Sequence, residues 1–302
     1  MKNPLPYTGR VNSPPSIVNT GFSVQGGTRD SLLDSLREIW RYRGLVLELV
    51  RRDLKVRYKN RVGGILWSLF TPLMQVLTIW AMVRFFLTQI DNYSAYLMTV
   101  MFLWQFFQNT VLDSSQAMIL NAALARKIYF PRAVLPLVTL ISNFLHFGVA
   151  FVFILIYLFV LNHGRFMLPR YFFLAPLCVL GLGIFALGIG YLLAYICTLY
   201  DDARFLSVTI LGLFFYLVPV LYPIEKVKVH QNIYPIYMLN PASTWLVGFQ
   251  RALLPPIVIA GGPPPVPMPL EWIGLAVLTS AITLIAGFWI FERSKWTMME
   301  RL

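Results

Sequence analysis

Groups that build metal sites, disulfides and acid–base pairs are scarce in this chain: two cysteines, three histidines and thirteen acidic residues among 302. Cys178 and Cys197 sit nineteen residues apart in one apolar run. On a helix that separation is roughly 28 Å, too far for a bridge, so both read as small apolar packing residues. No Cys/His pattern with metal-ligand spacing occurs, and no metal site is expected. The phosphate-cradling pattern G-x-x-x-x-G-K-[S/T] is also missing, which excludes ATP hydrolysis through a P-loop of its own. Residues 1–30, rich in Pro, Gly, Ser and Asn, lack the apolar core of a cleavable signal. They are expected to form a disordered cytoplasmic tail.

Charge is low as well. Charged residues make up 13% of the chain, against about a quarter in soluble domains. What fills the gap is apolar: 58% of the residues are hydrophobic. Six apolar segments stand out, at 64–87, 95–112, 134–161, 172–199, 205–222 and 272–291. Most approach the ~20 residues that cross a bilayer as helix, and the second is shorter and more polar. Trp67, Tyr93, Tyr96, Tyr171, Tyr222 and Trp272 cluster near segment ends, where amphipathic rings favour the interface. The expected class is an all-α polytopic membrane protein with six transmembrane helices.

Lys and Arg set its orientation. The region to residue 63, the loop at 113–133, the turn at 200–204 and the C-terminal tail together hold nineteen basic residues. The opposite side holds five: Arg165, Arg170, Lys226, Lys228 and Arg251. The asymmetry places both termini in the cytoplasm. Arg84, near the outer boundary of the first span, is expected to snorkel.

Directly before the first span runs "VRRDLKVRYKNRVGGILWSLF". Arg51, Arg52, Lys55, Arg57, Lys59 and Arg61 crowd into eleven residues against a single acid, Asp53. Leu32, Leu33, Leu36, Ile39 and Trp40 share a helical face, as do Val46, Leu49, Val50 and Leu54. Ser31 and Asp34 have capping-box spacing, and Gly63-Gly64 permits a turn into the membrane. Residues 31–63 therefore read as an amphipathic interface helix region lying on the membrane. Each basic residue there adds about 1 kcal/mol of attraction to anionic lipid. A nucleic-acid partner is not expected, since groove-reading and base-stacking elements are missing.

No expected span carries an interior Asp or Glu, which weighs against an ion-coupled transporter. His146, inside the third span, reads as a neutral histidine hydrogen-bonded to a neighbouring helix. The pair Asp201-Asp202 in "LYDDARFL" suggests the Mg²⁺-diphosphate site of a membrane-embedded glycolipid-processing enzyme. Such a site needs a second acidic motif, and none is present, so the pair reads as a helix-end acidic turn beside Arg204.

Two further segments stand out. "SSQAMILNAALARKIYFPR" (residues 114–132) has helical character and stops at Pro131. Residues 223–270 hold half of the chain's twenty prolines and semi-apolar pieces too short to cross.

In combination these stretches resemble a known family. "RRDLKVRYKNRVGGILWSLFTPL", "NAALARKIYFPRAVLP", "VPVLYPIEKV" and "YMLNPASTWLVGFQRALL" are similar, in order, to the ABC type-2 permeases that export O-antigen, capsular polysaccharide or teichoic acid. The family often has an Arg-Asp pair where this chain reads Asp201-Asp202. The resemblance implies a homodimer of six-span permeases (residues 64–302) with two copies of a separate nucleotide-binding ATPase subunit. ATP and Mg²⁺ would be held by that subunit, leaving this chain without cofactors and without enzymatic activity. It also implies a cytoplasmic coupling helix, an outer gate segment at 223–270 with short re-entrant helices, and a place in the bacterial inner membrane. The substrate implied is a glycan on an undecaprenyl-diphosphate-type lipid. A drug or a simple lipid is the alternative cargo.

Candidate site residues follow from that reading. Arg51, Arg52, Lys55, Arg57, Lys59 and Arg61 either anchor the helix to membrane lipids or meet the substrate's diphosphate. Trp80, Trp104, Phe106, Phe107, Phe214, Phe215 and Tyr216 are candidates to cover the apolar C–H faces of sugar rings along a channel. Leu120, Leu124, Arg126, Lys127, Phe130, Pro131 and Arg132 are candidates for contact with the ATPase.

Overall fold

The computed structural model describes residues 32–58, 65–86, 92–128, 130–165, 169–257 and 263–301. The expected disordered tail, the Gly63-Gly64 turn, Lys59 and Arg61 lie outside the described residues. The described elements are all helical. In chain order they are α1 (Leu32–Arg41), α2 (Arg43–Tyr58), α3 (Ile65–Phe86), α4 (Tyr93–Leu120), α5 (Ala122–Lys127), α6 (Val134–Leu161), α7 (Ala175–Leu199), α8 (Ala203–Leu217), α9 (Ile224–Lys228), α10 (Tyr234–Leu239), α11 (Pro241–Leu253), α12 (Leu270–Arg293) and α13 (Lys295–Arg301).

Three stretches are long and apolar enough to cross a membrane: Val134–Leu161, Phe172–Leu199 and Leu270–Arg293. Leu69–Phe85 within α3 and Ala203–Leu217 are shorter apolar helices. The outward faces of α6 and α12 are what hydrocarbon demands. Leu145, Val149, Val152, Ile156 and Val160 recur along α6, and Val277, Leu278, Ile282 and Ile285 along α12, all exposed. This is a multi-pass helical membrane protein.

α4 and α7 form its centre. α4 packs against α3, α6, α7, α8 and α11, and α7 also meets α12 over a long contact. Lipid tails are as apolar as leucine, so helices associate in a membrane through close packing, which small residues allow. Gly188 on α7 and Gly287 on α12 show this directly. A Cβ added to Gly287 would run into the Gly188 carbonyl oxygen, and one on Gly188 would fall 2.7 Å from the Thr283–Leu284 backbone. Gly181 lies under the Trp245 indole, whose Nε1 donates to Ser280 Oγ at 3.0 Å.

The interface region differs from the single helix expected. It breaks at Tyr42 into α1 and α2, though Val46 N–H still donates to the Tyr42 carbonyl at 3.1 Å. α2 buries Val46, Leu49 and Val50. They join Met118, Val134, Leu135, Tyr191, Phe288, Phe291 and Met298 in an apolar cluster at one end of the bundle.

The segment 114–132 is not one helix. α4 runs on to Leu120, so Ser114, Ser115, Ala117 and Met118 are buried in its last turns. Only the six residues of α5 stand apart, after a break at Asn121. The polar residues that made the second span look short are satisfied inside the bundle, so the helix had no reason to end at Leu112.

Candidate functional site

Three regions carry polar chemistry: the α2 end of the bundle, the outward face of α3, and the far end around α9–α11.

At the α2 end the basic residues divide into two kinds. Arg57 turns inward. Its Nη1 donates to Asn143 Oδ1 at 2.8 Å and its Nη2 to Asp113 Oδ2 at 2.8 Å. Asn143 Nδ2 donates to the same carboxylate oxygen at 3.0 Å. The next residue, Tyr58, shares a 2.7 Å hydrogen bond between its hydroxyl and His146 Nδ1. Burial, more than any neighbouring charge, lifts the Tyr58 phenol above its ordinary range, so it stays protonated near neutrality. Arg52 donates to Asn121 Oδ1 at the break between α4 and α5. Arg52 and Arg57 are therefore pins to neighbouring helices, with the Arg57 side chain part-buried. Arg51 and Lys55 remain exposed, Arg51 carrying an exposed pair with Glu48 at 2.7 Å. With Glu48, Arg52, Val56 and Tyr58 they line a concavity of about 690 Å³.

Among the ATPase-contact candidates, Leu120 is 74% exposed and Arg126 and Lys127 are exposed beside it on α5. Leu124 is half-buried against the apolar cluster that holds Phe130. Pro131 is buried and Arg132 partly so.

The channel aromatics scatter. Trp104, Phe106 and Phe107, expected as channel candidates, are buried in the core of the chain. Phe107 stacks on Phe185 at 5.9 Å, and Phe106 meets Phe144 and Phe147. Helical spacing told that they share faces but not which face turns inward. Phe214 and Phe215 lean on Trp104, while Tyr216 is 63% exposed. Trp80 is half-buried, with the Arg84 guanidinium 5.5 Å from its ring centre.

The outward face of α3 was not anticipated. Thr71, Gln75 and Thr78 are exposed there at helical spacing. With Phe70, Met74 and Ile79 they line a concavity of about 420 Å³. A polar amide facing hydrocarbon is costly, so this face differs in kind from those of α6 and α12. α8 is nearly as uncovered: only Ala203, Ser207 and Leu211 are buried.

At the far end, Glu225 on α9 and Arg251 on α11 form an ion pair. The chain turn between α8 and α9 is not helical, and its carbonyls are taken up by two tyrosines of α4. Tyr93 Oη donates to Leu221 O at 2.6 Å, and Tyr96 Oη approaches Pro219 O at 2.6 Å and Tyr222 O at 2.7 Å. Charge counting set Arg251 on the outer side without a partner, and no local spacing links it to Glu225, twenty-six residues away. Asp201 and Asp202 are exposed at the α7–α8 turn. Among the described residues no three His, Cys, Asp or Glu side chains gather as a metal site.

A family model described as ABC-2 type transporter matches residues 44–254. Two proteins of Klebsiella pneumoniae, both described as O-antigen export system permease protein RfbA, are 30% and 29% identical to the chain over 265 residues. Each alignment covers 85% of this chain and 95% of the relative. A Myxococcus xanthus protein of the same description is 29% identical over 217 residues, 71% of this chain and 82% of the relative.

Proposed function

The chain belongs to the ABC-2 type transporter family, and from that premise we propose that it is the permease subunit of an ATP-driven exporter of a lipid-linked polysaccharide. The near full-length similarity to O-antigen permeases supports the cargo class. In this reading α3, α4, α6, α7, α8 and α12 are six spans in the bacterial inner membrane, and both termini are cytoplasmic. α1 and α2 lie at the cytoplasmic interface, and α5 is the coupling element that meets the ATPase. The short helices α9–α11 form the outer gate segment within 223–270. Two copies of the chain work with two ATPase subunits, which bind ATP and Mg²⁺, while this chain performs no chemistry of its own.

One observation carries the route: the polar face of α3. The protomer's interior is packed with aromatics, leaving no room for a hydrated sugar chain. Thr71, Gln75 and Thr78 offer hydroxyl and amide groups to sugar hydroxyls, and the exposed Tyr216 on α8 offers a ring to C–H faces. Two copies joined along α3 and α8 would enclose a path with that lining and cover a face that lipid solvates poorly. At the cytoplasmic surface the Arg51–Lys55 concavity receives the diphosphate headgroup, and the lipid tail stays in the bilayer.

Depleting the protein and analysing the inner membrane by mass spectrometry tests this reading. A diphosphate-linked polyprenyl glycan should accumulate in the cytoplasmic leaflet while surface polysaccharide falls. Accumulation of a drug or a sugar-free lipid instead would reassign the cargo, and unchanged surface polysaccharide would end the proposal.

A further inference from the structure

The Glu225–Arg251 pair is buried as few charges are: Glu225 is 0% exposed and Arg251 3%. It joins pieces far apart in the chain. Glu225 Oε1 also accepts the Val266 backbone N–H at 3.3 Å, which brings in the proline-rich stretch 263–269. Around it lies an apolar cluster of Ile224, Val227, Met238, Val247 and Val266. Glu225 Oε2 and Arg251 Nε and Nη1 have no protein partner among the described residues. α10 is fastened to the same body. Tyr222 and Tyr237 share a hydroxyl bond of 2.9 Å, and Thr244 Oγ1 donates to Met238 O at 2.6 Å.

A buried pair of this kind adds little net stability, because desolvation offsets attraction. Parting it is another matter, since each half would be left as a bare charge in an apolar surrounding. The pair therefore fixes register rather than stability. Nearby, Tyr93 and Tyr96 hold the α8–α9 turn to the start of α4. Covering that turn's carbonyls lets non-helical backbone persist inside the bundle.

We propose that Glu225 and Arg251 are positioning residues for export. They keep α9, α11 and the stretch 263–269 together as one rigid cap through the whole transport cycle. The outer path then opens by displacement of the cap as a unit against α8 or a second copy, never by separation of α9 from α11. The inference rests on the reading of the chain as an export permease, but its mechanical content is measured separately from cargo.

The experiment places spin labels at Lys226 and Pro255, which are exposed at α9 and just beyond α11, in a full-length chain with Cys178→Ala and Cys197→Ala. Inside-out membrane vesicles from producing cells supply whatever ATPase accompanies the chain. The label-to-label distance should be single, narrow and the same without nucleotide and with ATP trapped by vanadate. Glu225→Gln should broaden it in both states. The apolar pair Glu225→Leu with Arg251→Met should keep thermal stability near the parent's, yet broaden the distance and lose most surface polysaccharide in complemented cells. A distance that changes with ATP overturns the proposal, as does an apolar pair that stays narrow and exports like the parent. If neither variant inserts, the nucleotide comparison on the intact pair still decides. A parent chain that fails to restore polysaccharide counts against the export reading alone.

Discussion

Arg57 on α2 and Asp113 on α4 meet at 2.8 Å, and Asn143 of α6 bonds both. This triangle ties α2 into the bundle through α4 and α6. Removing the guanidinium in Arg57→Ala loses two charge-assisted bonds. Both partners are partly solvent-exposed, so the expected loss is about 1–2 kcal/mol. Arg57→Lys should recover only part, since an ammonium cannot fork to two acceptors. Thermal unfolding in nanodiscs, with proteolysis of α2 as a local probe, reads the effect. An Arg57→Ala protein that melts and resists protease like the parent would remove the pin.

Arg51 and Lys55 should behave differently from Arg57. Their joint change to Gln loses the exposed Arg51–Glu48 pair within α2 but none of the bonds that tie α2 to α4 and α6, and weakens attraction to anionic headgroups by about 1 kcal/mol each at most. The loss should shrink as salt rises, because exposed charges are screened. Lipid retention in nanodiscs of mixed charge, compared at two ionic strengths, measures it. Salt-independent retention equal to the parent's would argue against any headgroup role for this surface.

Leu120 and Leu124 separate assembly from folding. Leu120→Glu lies on an exposed position and should leave the melting temperature unchanged while weakening capture of the ATPase. Leu124→Glu pushes a carboxylate toward the apolar cluster and should destabilise the protein by about 1–3 kcal/mol. Normal co-purification of the ATPase with Leu120→Glu, together with normal export, would move the coupling contact off this surface.

Gly287→Ala tests the α7–α12 seam. The added methyl meets the Gly188 carbonyl, a backbone atom that cannot rotate away. Overpacking of this kind costs about 1–3 kcal/mol. A melting temperature within error of the parent's would mean the seam is looser than it stands here.

Much of the fold was legible because membrane spans are a matter of composition and length. The apolar runs at 134–161, 172–199 and 272–291 overlap the three long apolar helices. The end of α4 was misjudged because hydropathy treats Gln105, Gln108, Asn109 and Asp113 as exposed polar groups. In the fold they bond one another, Trp104, Asn143 or Arg57. The reading of His146 as hydrogen-bonded to a neighbour agrees with its contact to Tyr58. Which charged residues pair, and which aromatics face the core, depends on tertiary neighbours that one sequence does not display. Arg52, Arg57, Glu225 and Arg251 all belong to that class.

The tyrosine-held turn after α8 has a consequence for how thick the barrier is. Fifteen helical residues reach about 22 Å, while the hydrocarbon layer is about 30 Å deep. α8 is therefore shorter than that layer is deep, and Tyr93 and Tyr96 hold the backbone where it leaves helical form. In the proposed route along α8, a polymer would have a shorter low-dielectric distance to cross before it met the hydroxyls and rings around this turn.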